Sequence, residues 1–138
     1  MLVDAMSGGS VSREWVEVGS GIGGASYDAK VELKSKVYHI AAGKVYFFAN
    51  SMFDLTDSVI VCDAGAGLKL TNCRVTGDAK SGIIVRKDGK CQFVGNYMHD
   101  INIDIYPPMN PTDHYIDGNV FSECAFVYEL YGTNNQIK

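Results

Sequence analysis

The chain has 138 residues, enough for one domain with its own core, and its 46% hydrophobic content and mean hydropathy of −0.01 describe a foldable, soluble sequence. A net charge of −4 gives no electrostatic basis for binding nucleic acid or an anionic membrane, and no apolar run is long enough to span a bilayer. Fifteen glycines and eight tyrosines favour turns and strands over helices.

Residues 1–28 are expected to form a linker and cap. Met1–Ser10 lacks the basic start and apolar run of a signal peptide, and Ser7-Gly8-Gly9-Ser10 has the composition of a flexible linker. Trp15–Val18 predicts a short strand. Gly19, Gly21 and Gly24 then match a dinucleotide-binding spacing. Its context fails, because Tyr27–Lys36 is a poor helix and no acidic residue ends a second strand at the required distance. The segment is read as a cap on the first turn of a repeat, with Trp15 as its lid.

The remainder, 29–138, is read as one repetitive domain. Asn50, Cys73, Asn96 and Asn119 recur with a 23-residue period. Three residues earlier stand Phe47, Leu70, Phe93 and Ile116, and two later Met52, Val75, Met98 and Phe121. Five earlier stand Val45, Leu68, Cys91 and His114. The earlier two columns share a strand face, whereas the odd step to the later one requires a bend, and Asn suits a bend. Short strands joined at corners, each turn lying on the next, make a parallel β-helix with stacked Asn and a continuous apolar interior. The prediction is an all-β parallel β-helix (β-solenoid) of about four to five rungs with an irregular N-terminal cap.

A third strand per rung is predicted at Val37–Ile40, Val59–Cys62, Gly82–Arg86, Ile103–Tyr106 and Phe126–Leu130. Val59-Ile60-Val61 is β-branched on both faces, which suits a strand covered on its outside, for example by a partner subunit. Pro107–Pro111 holds all three prolines and is read as a stiff projecting loop. Gln136–Lys138 starts a further strand, so the chain is either cut from a longer protein or covered at that end.

No cysteine pair has zinc spacing, so Cys62, Cys73, Cys91 and Cys124 are read as free buried thiols; a Cys73–Cys91 disulfide between adjacent rungs is the alternative. Asp54, Asp100 and Glu123 fall in one column, four after the Asn position. Stacked ~5 Å apart, Asp100 and Glu123 could share a proton or hold Ca2+; as plain surface residues they decorate a solvated turn. His114 falls in a core column, and His99-Asp100 could be a base with its orienting acid. Tyr97, Tyr106, Tyr115 and Tyr128 could stack on sugar rings or pack at a subunit seam.

Val94–Met98, Asp117–Phe121 and Asn134–Lys138 resemble repeats of right-handed parallel β-helix proteins of the pectate-lyase-like kind, most of all segments of phage tail spikes and appendages. The resemblance covers residues 31–138. It implies a right hand for the helix, a structural or receptor-binding segment of a phage tail spike or fibre, a bacterial surface polysaccharide as partner, a homotrimer, and a virion or extracellular location. The alternative it implies is a polysaccharide lyase or glycoside hydrolase, or a fragment of one. The polygalacturonase motifs are absent. Pectate lyases pair Asp-bound calcium with a basic residue that removes a proton. Asp63, one repeat period before Arg86 and close to Lys87, is the nearest match, and its plain reading is an inter-rung salt bridge. Asp63, Arg86, Lys87, Asp100 and Glu123 are therefore the catalytic candidates. A third possibility is a solenoid that only spaces other domains.

Overall fold

The structure is a computed structural model that describes residues 16–17, 29–32 and 37–138. The described residues are all-β, in sixteen strands. The first two strands are β1 (Val16–Glu17) and β2 (Ala29–Glu32). One turn comprises β3 (Val37–Ile40), β4 (Val45–Ala49) and β5 (Ser51–Asp54). The next comprises β6 (Val59–Cys62), β7 (Gly67–Thr71) and β8 (Arg74–Thr76). Then come β9 (Gly82–Val85), β10 (Lys90–Val94) and β11 (Tyr97–His99), followed by β12 (Asn102–Ile105), β13 (His114–Asp117) and β14 (Val120–Ser122). The last two are β15 (Ala125–Phe126) and β16 (Gln136–Ile137).

Strands three apart pair in parallel and build three sheets. Sheet 1 has the order β1-β4-β7-β10-β13, sheet 2 β2-β5-β8-β11-β14-β16, and sheet 3 β3-β6-β9-β12-β15. The result is a parallel β-solenoid of about four turns. β1 breaks the pattern by pairing antiparallel with β4. Trp15 and the glycines at 19, 21 and 24 lie outside the described residues.

Alternation decides which side chains enter the lumen. Tyr46, Leu68, Cys91 and His114 form one inward column of sheet 1, and Phe48, Leu70, Phe93 and Ile116 the next. Sheet 2 contributes Phe53, Val75, Met98 and Phe121, and sheet 3 Ile40, Cys62, Val85 and Ile105. Apart from half-buried His114, all are buried and form one continuous cluster. Each buried Leu or Phe contributes about 1.5–3 kcal/mol, so rung stacking and not local propensity holds the fold.

From Leu68 onward the predicted columns coincide with the observed register. The first rung does not fit them. Phe48 and not Phe47 opposes Leu70, and Phe53 and not Met52 opposes Val75, so this rung is short by one position. A one-residue slip reverses every side chain, and Met52 accordingly lies outside and 46% exposed. Asn50 therefore leaves the predicted column, where Ser51 stands ahead of Cys73, Asn96, Asn119 and Asn135.

The third strands differ as well. They begin at Val37, Val59, Gly82, Asn102 and Ala125, and the last ends at Phe126 instead of Leu130. From the second turn to the third, the corner between sheets 2 and 3 shrinks from residues 77–81 to 100–101. The corner between sheets 3 and 1 grows from 86–89 to 106–113. The changes nearly cancel, which keeps the repeat period in sheets 1 and 2 while sheet 3 takes a shorter step from Gly82 to Asn102. The longer corner is the proline loop. His114 clasps its base, donating from Nε2 to the Tyr106 carbonyl (2.9 Å) and accepting the Cys91 N–H at Nδ1 (3.3 Å). The predicted core histidine thus sits half-buried with both ring nitrogens engaged. Past β15 the chain returns early, so Asn135 follows Asn119 by less than a full period, and Leu130 packs on the core.

Sheet 3 also bears on the predicted covered face. Its outward Val61 is buried within the chain itself, Val59 and Ile84 are half-buried, and Val37 is 58% exposed. Further along, the outward positions become Asn102 and Asp104.

Candidate binding surface

The catalytic candidates fall on two different edges of the prism. At the corner between sheets 3 and 1, the Asp63 carboxylate lies 3.1 Å from His39 Nδ1 and 3.4 Å from Arg86 Nε, one ligand from each neighbouring rung. Lys87 is exposed beside Arg86. All three members of the ladder are at least one-third exposed, where such pairs contribute about 0–1 kcal/mol. The expected contact between Asp63 and Arg86 is present, and His39 is the partner that spacing alone missed.

Asp100 and Glu123 lie on adjacent rungs at the corner between sheets 2 and 3, where both adopt left-handed backbone angles. They border a shallow groove of about 180 Å³ with Asp78 and Asn102. Glu123 lies 3.7 Å from His99 Nε2, and His99 Nδ1 lies 3.2 Å from Ser122 Oγ. Asp54 does not join them. It pairs in register with Thr76 and folds back on its own turn, accepting the Thr56 N–H (3.0 Å) and hydroxyl (2.7 Å). The one-residue slip of the first rung is the cause. In the same groove, hydrogen bonds from the Lys80 N–H, the Ser81 hydroxyl and the Asp57 N–H hold Asp78 below its ordinary value. That favours the charged form and is the opposite of what a general acid needs. Among the described residues, no group of three or more His, Cys, Asp or Glu is placed to hold a metal ion.

The four thiols are free, so the Cys73–Cys91 alternative is not realised. Cys73 sits at the corner after sheet 1, whereas Cys91 points inward from the middle of it. Burial raises all four thiols, Cys62 to about 11, so none is an activated nucleophile.

The tyrosines are dispersed. Tyr106 and Tyr128 pack edge to face at 5.4 Å between ring centres, near the proline loop. Tyr97 lies on the outside of sheet 2, with the Arg74 guanidinium 4.5 Å from its ring centre and the His99 ring near-parallel to it at 6.2 Å. Tyr115 is 53% exposed on the outside of sheet 1.

Sheet 1 carries a concavity on its outside. Its outer face reads Val45, Gly67 and Lys90 in one column and Phe47, Lys69, Gln92 and Tyr115 in the next. Gly67 leaves a notch between larger neighbours, and the end of the proline loop overhangs it. The resulting groove of about 380 Å³ is bordered by Val45, Gly67, Lys69, Lys90, Gln92 and Asp113. Asp113 is 8% exposed and held by the Asn110 N–H (2.9 Å), with Lys90 Nζ 3.9 Å from its carboxylate. Sequence reasoning missed this groove, since no single residue in it is unusual. It exists only once Gly67 is set beside Val45 and Lys90 and the loop closes one side. No protein family, curated protein or solved structure matches this chain.

Proposed function

We propose that this chain is a β-solenoid segment of a phage tail spike or fibre, assembled as a homotrimer, that holds a bacterial surface glycan without cutting it. The observation that carries this reading is the outer face of sheet 1, where a groove of about 380 Å³ adjoins a ladder ending in exposed Tyr115. A flat tyrosine and an apolar notch suit the faces of sugar rings, and Gln92, Thr112 and the lysines suit their hydroxyls. Solenoid rungs ~4.8 Å apart repeat such contacts along an extended chain. Exposed outward Val37 and Met52 are consistent with a subunit seam. The test is retention on a panel of immobilised bacterial polysaccharides, with the eluted glycan sized afterwards and the protein mass measured by light scattering. Retention of uncut glycan that weakens in Tyr115→Ala and Gln92→Ala, at three times the 15.0 kDa chain mass, is the expected result. Failure to retain any member of the panel sinks the glycan reading, and a monomer sinks the trimer.

A second reading, a polysaccharide lyase or glycoside hydrolase, draws on the stacking of Asp100 and Glu123 beside His99 and on the Asp63–Arg86 pair. It requires shortened glycan in the same assay, lost in Asp100→Ala or Arg86→Ala.

A further inference from the structure

We infer that the notch on sheet 1 is a subsite for an acid-bearing sugar, one carrying a carboxylate, sulfate or phosphate, and that Lys69 and Lys90 select it over neutral sugars. This rests on the glycan-binding reading above and names its ligand class. The sheet register fixes the geometry. Lys90 stands directly beside Gly67 on the next rung, and Lys69 stands two residues along from Gly67 on the same strand. Both ammonium-bearing chains therefore border an outward position of sheet 1 that has no side chain. The chain carries −4 overall, so two lysines at the same concavity make a local reversal of sign. Asp113 is the countercharge. It neutralises only part of this pair, because it is buried in the loop base, bonded to the Asn110 N–H, and 3.9 Å from Lys90 alone. Among the described residues, Lys69 makes no salt bridge and is half-buried at the groove wall.

The size of the notch depends on Gly67. A Cβ built there meets both Val45 methyl groups at 3.1 Å, so a larger side chain would have to displace Val45 toward the groove that both residues border. The apolar floor of Val45 and Gly67 takes a ring face while the lysines take the acid group. A charge-assisted hydrogen bond of this kind is about twice as strong as a neutral one.

The test uses the whole chain and a panel of acidic glycans (hyaluronan, alginate and a phosphate-bearing polysaccharide). Each is paired with a counterpart whose acid groups have been neutralised, and dextran serves as the neutral control. Acidic forms should be retained over their neutralised counterparts. Lys69→Gln and Lys90→Gln should each reduce that preference about tenfold, with an unchanged melting temperature. Raising the salt to about 0.5 M should weaken the preference by screening. Gly67→Val should weaken acidic and neutral binding alike by filling the notch, and its melting curve shows whether the fold is kept. Equal retention of acidic and neutralised glycans, or a preference unchanged in both lysine variants, overturns the acid-sugar subsite and leaves the glycan reading standing. No retention of any glycan overturns both.

Discussion

The inner corner between sheets 1 and 2 is built in two ways along one solenoid. In the C-terminal half, buried Asn96 and Asn119 and half-buried Asn135 form a ladder. Each Oδ1 accepts the backbone N–H one rung back, and each Nδ2 donates to a carbonyl (Leu70, Phe93 and Ile116) at 2.8–3.1 Å. In the N-terminal half the same positions are Ser51 and Cys73. Ser51 Oγ donates to the Ala49 carbonyl across the corner of its own rung, and Cys73 Sγ reaches the Thr71 and Phe48 carbonyls at 3.4 and 3.5 Å. One half ties rung to rung through a buried amide ladder, and the other through backbone pairing, a weak thiol contact from Cys73 to Phe48 and an exposed bond from Asn72 Nδ2 to Asn50 Oδ1 (2.7 Å). A corner can thus be closed without a buried amide ladder, but the two halves should respond very differently to substitution.

The largest difference is expected at Asn119. Its replacement by Ala leaves the Phe93 carbonyl and the Asn96 N–H and amide without their partner in a buried corner. At roughly 1–3 kcal/mol for each unsatisfied buried group, Asn119→Ala should cost about 3–5 kcal/mol. Ser51→Ala, which removes one bond within its own rung, should cost about 0.5–1.5 kcal/mol. Urea denaturation of both variants checks the contrast, and equal losses would mean that the ladder adds nothing beyond local capping.

The next effect is alkaline. Burial raises the Cys62 thiol to about 11 and the Cys73 thiol in the same direction. Cys91 is also raised, mainly by burial with the Cys62 charge adding to it. For a raised folded-state pKa, the stabilisation is complete below the unfolded value of 9.0 and is lost as pH rises from there through about 11. Cys62 alone should remove about 2–3 kcal/mol across that window. Denaturation at pH 7.5 and at pH 11 should show the loss, and Cys62→Ala should flatten it despite a lower stability at pH 7.5. Cys62 lies on sheet 3, away from this corner, and an alkaline loss unchanged in Cys62→Ala would place its origin elsewhere.

These contrasts also explain what the sequence disclosed. The repeat period is plain from Leu68 onward because the inward columns there alternate with Lys69, Arg74, Gln92 and Tyr97, which mark the outside. The first rung lacks that marking. Val45–Ala49 is apolar on both faces and Met52-Phe53 offers two apolar choices, so pattern alone could not choose between the full step and one shorter by a single position. Asp54 entered the acidic column through the same ambiguity. The traded corner lengths were hidden because two opposite changes left the period intact. The Asp63–Arg86 contact was legible as a spacing. The sheet 1 notch was not, since it depends on an absent side chain, a register and an overhanging loop.

A smaller effect belongs to the residue just before the ladder position. Asn50, Asn72, Gly95, Gly118 and Asn134 all adopt left-handed angles, so one half of the solenoid meets this demand with Asn and the next rungs with Gly. A Cβ at Gly95 would meet nothing within 4 Å, which leaves backbone strain as the only cost. Gly95→Ala should therefore lose about 1–2 kcal/mol and Gly95→Asn clearly less, because Asn tolerates this region. Equal losses in thermal melts would show that the two residue types are not interchangeable solutions here.

The smallest expected effect tests whether the ladder can be extended. Cys73 already occupies the ladder position: its N–H donates to Asn96 Oδ1 at 2.8 Å, and its thiol is directed at the Phe48 carbonyl one rung back. In Cys73→Asn, the amide Nδ2 would replace the weak thiol donor to Phe48, as Asn96 does to Leu70. The amide Oδ1 would face the Ser51 N–H, as Asn119 faces Asn96. Opposing this, Asn is larger than Cys at a 3% exposed site, in a rung entered by the shortened step. One hydrogen bond contributes about 0.5–1.5 kcal/mol net, and overpacking takes back part of it. A gain of up to about 1 kcal/mol is expected, with the alkaline loss reduced by the Cys73 share. A clear destabilisation would mean that Asn works at this corner only where the preceding rung has the full repeat length, and that the cysteine belongs to the shorter step.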